Sequence, residues 1–598
     1  MSRRARPAGR AAVAAVALAA AAALLPAAAL ASSGPAKDED PEPLGSSPAA
    51  VAEVGGGFGR TLPGPQTLLV TFSDAPNGPR ARARLDDLGS VRPVLPEAGV
   101  WSLSPRDPAA ARDRVLDRPR VSGAEWSLAR SSAELPRPAP PLPLGPPPAL
   151  TDPFYAAGSQ WGILAGRSTW GGDLTTIGPR PRIAILDSGV DPTHEEWGGP
   201  ASPLVAPRST LRSDDDGSDD GESGHGTHVA GIAAAPANGV GVVGVAPAVR
   251  GAAEIIPVQI ANRAGESSDL TMIRGIRYAV RNGARVVNIS AGGPGFSRAF
   301  QDAILWATRQ GALIVASVGN EGGADNTLNY PAAYRRVIGV GAQCDDQPSP
   351  ECPRPFGVAD FSNRNRTVDV IAPGVNVLSS VPKRVTERVV RPGYALKDGT
   401  SMAAPYISGV AALVMAANGQ HLSPYQVRRQ IENTADDIGP AGRDNAAGYG
   451  VVNPRAAVTL TAPADDAGEV NDDVKWLTSV QRLSQLRPGQ RSAVEATVDR
   501  FEDPDDVLAV RMNRGERIRV TLTYRSGVAD LYLWRPGTTT VGTGTKASER
   551  NLIKFVGGRR KTKTITYRAK KNGRHFVNVY ARRGGTAYTV TLERLGPR

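Results

Sequence analysis

Between about residues 152 and 462 the chain alternates short, almost wholly apolar runs with longer stretches whose apolar residues recur every three or four positions. No other feature constrains the fold as strongly. Residues 182–186, 286–290, 312–317 and 336–340 read as buried strands. Residues 269–282 and 298–310 read as helices, and each passes through a glycine, Gly283 or Gly311, into the next strand. A strand that is apolar on both faces must be covered on both. The pattern therefore predicts an α/β fold in which a mostly parallel sheet lies between layers of helices. Ligands of such sheets bind beyond the carboxyl ends of the strands.

At 598 residues the chain is longer than one hydrophobic core supports, so this region has neighbours. Arg3, Arg4, Arg6 and Arg10 precede an apolar run over 11–31 that ends in Ala29-Leu30-Ala31, the order of a secretory signal peptide. An uncleaved membrane anchor is the alternative, because the run is just long enough to span a bilayer; Pro26 and the small-residue exit favour cleavage after Ala31. Residues 32–61, rich in Ala, Gly, Pro and acidic side chains, read as a disordered leader. From about 66 to 128, strand-like runs (66–72, 99–103, 121–128) alternate with helix-like ones (80–88, 108–116), which predicts a small α+β unit. The prolines of 136–148 each remove a backbone donor and fix φ, so that segment reads as an extended, cleavable tether. After Pro463 an acidic spacer leads to about 493, and period-two runs over 494–598 predict an all-β antiparallel sandwich.

The net charge of +12 is unevenly spread: residues 511–598 hold 21 Lys and Arg against 4 Asp and Glu, or +17, which leaves −5 for the rest. Chain-wide basicity, and with it a specific nucleic-acid partner, is excluded; any anionic partner belongs to the C-terminal end, where a merely solvated basic face is the alternative. Two cysteines, Cys344 and Cys352, exclude four-thiolate metal sites. In an oxidising exterior they are expected to pair, with a reduced surface pair left open.

Three segments of the α/β region place reactive side chains where the backbone is about to turn. A strand ends in Leu186-Asp187-Ser188-Gly189; His225 opens a helix in Gly224-His225-Gly226-Thr227-His228; and Ser401 begins an apolar helix in Gly399-Thr400-Ser401-Met402-Ala403-Ala404-Pro405. These are the parts of nucleophilic acyl transfer: a hydroxyl, an imidazole to take its proton, and a carboxylate to orient the imidazole. Ser401 at a helix start also brings free backbone N–H groups to the oxyanion. Taken singly, Asp187 could be a turn residue and Ser401 a helix cap.

Together the segments resemble the signature blocks of the subtilisin-like serine proteases, the subtilases, in that family's chain order Asp, His, Ser. The likeness spans about 152–462 and includes Gly241-Val242-Val243-Gly244-Val245-Ala246-Pro247, Tyr330-Pro331 and Ala372-Pro373-Gly374. It implies a subtilisin-like three-layer sandwich and a serine endopeptidase with Asp187, His225 and Ser401 as its catalytic triad. Within Ser317-Val318-Gly319-Asn320-Glu321-Gly322, Asn320 takes the place of the oxyanion donor and Glu321 that of the pocket rim. Ser290, Ala291 and Gly292 take the place of the edge that pairs with an extended peptide. The chemistry needs no cofactor and no catalytic metal. A structural calcium loop would map to 236–242, with Asn238 as side-chain ligand and Glu196 where the family carries Asp. The acidic run 214–222 could be a second calcium loop or a solvated insertion. His228 reads as a packed residue, and a zinc site would leave Asp187 and Ser401 unexplained.

By the same resemblance, 32–150 is a propeptide whose 66–128 unit assists folding and inhibits the enzyme intramolecularly until the chain cuts itself between Pro136 and Thr151. The region 151–462 is then the catalytic domain, 463–493 a linker, and 494–598 resembles the bacterial pre-peptidase C-terminal domain. Protein or peptide substrates and a secreted, extracellular location follow. The charge of the last region suggests adhesion to anionic cell-surface polymer, and so cell-wall association. The competing class is a non-catalytic scaffold that displays the basic sandwich.

Overall fold

A computed structural model describes residues 67–132, 151–165, 180–198, 202–211, 216–247, 253–322, 327–462, 470–477, 479–500, 502–541 and 550–596. The signal-like segment, the leader and the tether at 136–148 lie outside the described residues. Seven strands form the central sheet, in the order Val370–Pro373, Val337–Gln343, Leu313–Ser317, Ala284–Ile289, Arg182–Asp187, Glu254–Gln259 and Arg208–Ser209, with every adjacent pair parallel.

Successive side chains leave a strand on opposite faces, and burial follows that rule. Ile183 and Ile185 enter one apolar layer with helices His225–Ala234 and Thr400–Ala417, while Ala184 and Leu186 enter the other with Asp269–Arg281 and Arg298–Arg309. The result is the helix–sheet–helix sandwich that the apolar runs predict. Thr400–Ala417 is apolar on every side and buried from Thr400 to Ala416, which makes it the core helix of its layer. Ser268 and Ser297 cap the two helices of the other layer, accepting the N–H of Thr271 at 3.3 Å and of Phe300 at 3.2 Å; losing one such cap costs about 1 kcal/mol.

Ahead of this sandwich, an antiparallel sheet in the order Gly89–Leu95, Val100–Pro105, Leu68–Phe72, Val121–Trp126 is backed by helices Gly78–Leu85 and Pro108–Leu116. The strand Gly89–Leu95 is not evident in the sequence, because Pro93 interrupts its apolar pattern; the sheet tolerates that proline at its edge. The other face of the unit places Leu69, Val94, Leu95 and Val100 in one apolar layer with Met272, Ile276 and Phe300, so the unit is docked on the two helices.

The C-terminal region consists of two sheets. One orders Gln481–Arg482, Asp505–Met512, Gly573–Arg583, Val528–Trp534 and Leu552–Val556; the other orders Arg491–Asp499, Gly585–Leu595, Arg517–Tyr524 and Thr562–Arg568. Pairing is antiparallel except at the two-residue strand Gln481–Arg482. Val520, Leu522, Leu531, Val577 and Val590 fill the space between the sheets.

The acidic spacer is in part an anchor rather than a solvated link. Asp472 and Asp473 are buried, Asp472 accepts from Arg336 at 3.2 Å, and Glu502 and Asp503 accept from Arg428 at 2.6 Å and Arg336 at 2.5 Å. Cys344 and Cys352 form a disulfide inside a small apolar cluster with Phe361 and Val375.

Candidate active site

Asp187 ends its strand at the carboxyl edge of the sheet and is 2% exposed. One oxygen, Oδ1, accepts both the following amide, Ser188 N–H, at 2.8 Å and Nδ1 of His225 at 2.7 Å. A second carboxylate fastens this turn to the helix that carries His225. Asp219 accepts from the Ser188 hydroxyl at 3.0 Å, from Thr227 N–H at 3.0 Å and from the Thr227 hydroxyl at 2.6 Å, while Ser188 Oγ accepts Gly226 N–H at 2.9 Å. Burial pushes the Asp219 carboxyl up to about 6. The acidic run at 214–222 gave no sign of this role, because nothing in its composition separates one anchored aspartate from solvated neighbours.

Two glycines are required here. Gly224 precedes the helix at φ 67°, and a Cβ on Gly226 would lie 2.1 Å from the carbonyl oxygen of Gly189. His228 is buried, directs Nε2 at the carbonyls of Val377 and Ala395, each at 3.1 Å, and is held neutral by that burial with Lys397 nearby. Among the described residues no three His, Cys, Asp or Glu side chains gather, so the zinc alternative has no ligand set there.

Ser401 lies in the first turn of Thr400–Ala417 and donates from Oγ to the carbonyl of Ser290 at 3.0 Å. A polar thread crosses from the sheet to this helix: Asn288 donates to Ser290 Oγ at 2.9 Å, Ser290 Oγ to the carbonyl of Ser401 at 2.9 Å, and Ser408 Oγ to Asn288 at 2.9 Å. Asn320 stands beyond the strand Leu313–Ser317, and its side-chain oxygen accepts the Thr400 N–H at 2.9 Å and hydroxyl at 2.8 Å. Thr400 was not evident as an orienting residue, since a Thr before a Ser carries no signal by itself. Glu321 follows, is exposed, and accepts from the Asn363 amide at 2.6 Å.

The chain itself lies along the edge beside Ser401. Strand Ala129–Ser132 pairs antiparallel with Ala291–Gly292 on one side and with Glu266–Ser268 on the other. Its approach is fixed by caps on both underlying helices. Glu125 accepts the N–H of Arg298 at 2.7 Å, Ser127 Oγ that of Leu270 at 3.1 Å, and the Leu128 carbonyl that of Asp269 at 3.0 Å. Glu97 adds ion pairs to Arg277 and Arg281.

Residues 178–450 match the pattern of the subtilase family. Subtilisin Savinase from Lederbergia lenta is 36% identical over 299 residues, which cover 50% of this chain and 97% of that protein. M-protease from Shouchella clausii (strain KSM-K16) is 36% identical over 299 residues and 69% of its length, and subtilisin E from Bacillus subtilis (strain 168) is 34% identical over 282 residues and 66% of its length. Among solved structures, fervidolysin from Fervidobacterium pennivorans, a keratinolytic enzyme related to subtilisin, superposes with a TM-score of 0.57 at 23% identity, covering 85% of this chain and 86% of that one. That last likeness concerns the fold. A relative 36% identical and covered over 97% of its own length decides the family: the chain belongs to the subtilases, the subtilisin-like serine endopeptidases.

Proposed function

We propose that Ser401, His225 and Asp187 hydrolyse peptide bonds of protein substrates through an acyl-enzyme. The Ser401 oxygen attacks the carbonyl carbon while His225 takes its proton on the ring nitrogen turned away from Asp187. The C–N bond breaks as His225 gives that proton to the leaving amine, and water then repeats the sequence to free the acid. Asp187 fixes the ring and stabilises its cation; Asn320 and the N–H groups of the first helical turn receive the oxyanion. Ser290, Ala291 and Gly292 pair with the substrate backbone, and Glu321 lies at the rim of the pocket. The observation that carries this reading is the buried 2.7 Å bond from His225 Nδ1 to Asp187. A fluorophosphonate probe should label Ser401 in the matured chain, about 10⁴-fold more slowly after Asp187→Asn. Equal labelling of the two proteins would overturn the reading.

The zymogen part of the proposal is supported by strand Ala129–Ser132, which fills the place of an extended substrate. A docked unit of this kind also lowers the barrier to forming a non-local parallel sheet. We expect export by the 1–31 signal and self-cleavage shortly after Ser132, ahead of the tether where the sequence alone placed it. A Ser401→Ala chain secreted already trimmed would exclude self-processing. Adhesion of the C-terminal region to anionic polymer is supported by exposed basic residues such as Arg559, Arg560, Lys570 and Lys571.

A structural calcium ion at the 236–242 loop completes the proposal. Glu196 is buried, and its Oε2 has no hydrogen-bond partner among the described residues, while Asp152 is its buried acidic neighbour. Two buried carboxylates suit a hard divalent cation. Glu196, Asp152 and Asn238 would hold it, and it would supply charge balance and loop rigidity.

A further inference from the structure

Strand Ala129–Ser132 carries one side chain that backbone pairing does not explain. Arg130 is 2% exposed, and its ion pair with Asp269 is wholly buried on both sides. Its Nε donates to Asp269 Oδ1 at 2.8 Å, Nη1 to the carbonyls of Gly293 at 2.5 Å and Pro294 at 3.0 Å, and Nη2 to the carbonyl of Gly295 at 3.0 Å. These four partners are all acceptors, arranged for a planar fork of donors. Among the described residues Arg130 is the ion-pair partner of Asp269. A substrate side chain without donors in this cavity would shut a carboxylate and three carbonyls away from water unpaired, which costs far more than covering an apolar wall.

The register places this cavity relative to the bond attacked. Ser131 stands opposite Gly292 and Ser132 opposite Ala291, so the next position on the edge is opposite Ser290. The carbonyl of Ser290 accepts the Ser401 hydroxyl, and a peptide residue at that position offers its carbonyl carbon to Ser401. Arg130 lies three residues before that position. It therefore occupies the place of the fourth residue before the scissile bond.

We propose that the cavity formed by Asp269 and the carbonyls of Gly293, Pro294 and Gly295 is an arginine subsite, and that Asp269 makes the enzyme select extended peptides with arginine as the fourth residue before the cleaved bond. The precursor fills the subsite with its own Arg130, and maturation hands it to substrates. Lysine at this position offers a single point charge that cannot reach all four acceptors, and alanine reaches none. The proposal rests on Ser401 being the nucleophile.

The test uses matured enzyme and internally quenched peptides that differ only at this position. Arginine should exceed alanine in kcat/KM by at least about 100-fold, with lysine between them. In Asp269→Asn the arginine-to-alanine ratio should fall to within about threefold of one. Similar rates for arginine and alanine peptides in an enzyme whose Ser401 reacts with fluorophosphonate would overturn the arginine subsite and leave the nucleophile standing. An enzyme that neither reacts with the probe nor cleaves any peptide would overturn both. The wild-type ranking needs no variant to fold, and an unaltered ratio in Asp269→Asn would remove Asp269 as the determinant.

Discussion

Replacing Glu196 by Gln in a chain that also carries Ser401→Ala, so that nothing digests itself, isolates a single buried titration. Burial lifts the Glu196 carboxyl from 4.5 to about 8. The folded chain thus keeps a proton that the unfolded chain has lost, and the associated stability is present in full below about pH 4.5 and disappears as pH rises through 8. Between pH 5 and pH 8 the difference in bound protons integrates to about 2.6 pH units, which at 1.36 kcal/mol per unit is about 3.5 kcal/mol. Urea unfolding in EDTA at pH 5, 6.5 and 8 should show the Glu196 protein losing about 3.5 kcal/mol more than the Gln protein over that range. Asp219, also raised, acts in the same direction but is common to both proteins and cancels. With calcium in excess, an ion at the loop would keep the Glu196 carboxylate ionised, so that stability no longer falls toward pH 8, and the Gln protein would respond far less. Parallel pH profiles of the two proteins in EDTA would refute the protonated buried carboxyl.

Thr400→Val removes the hydroxyl bond to Asn320 while keeping the backbone one, so kcat should drop about tenfold with KM little changed; an unaltered kcat would show that the backbone N–H alone orients the amide. Replacing Cys344 and Cys352 by Ala opens a loop of sequence separation 8 and should lower stability by about 2–3 kcal/mol, read as a shift in urea midpoint. Retention on an anionic polymer column at 20 mM salt should be lost by about 0.5 M, and retention that persists at high salt would exclude an electrostatic mode for the C-terminal region.

The central sheet and the segments bearing Asp187, His225 and Ser401 were legible because each is a local pattern: an apolar run, then a turn, then one reactive residue. What was not legible depends on pairings across long separations. Asp269 reads as an ordinary first-turn acid of its helix, and only the fold brings Arg130 to it from 139 residues away. Asp219 lies in a run of acids whose composition says solvent, yet it is buried because Ser188 and Thr227 supply three donors. Strand Gly89–Leu95 hides behind Pro93, which an edge position excuses. Nothing local marks Asp472 of the spacer, or Glu502 and Asp503 beyond it, as anchors, because their basic partners Arg336 and Arg428 are far away in the chain.

Those last pairs have a mechanical meaning. Removing one partner of a buried ion pair costs about 3–5 kcal/mol, and Arg336–Asp503, buried on both sides, clamps the region after residue 491 to the start of strand Val337–Gln343 in the sheet that carries the cleft. The C-terminal region is then a handle and not a leash. A molecule held by that end would present its cleft at a set height and angle above whatever holds it, and could trim only what passes within that fixed aim.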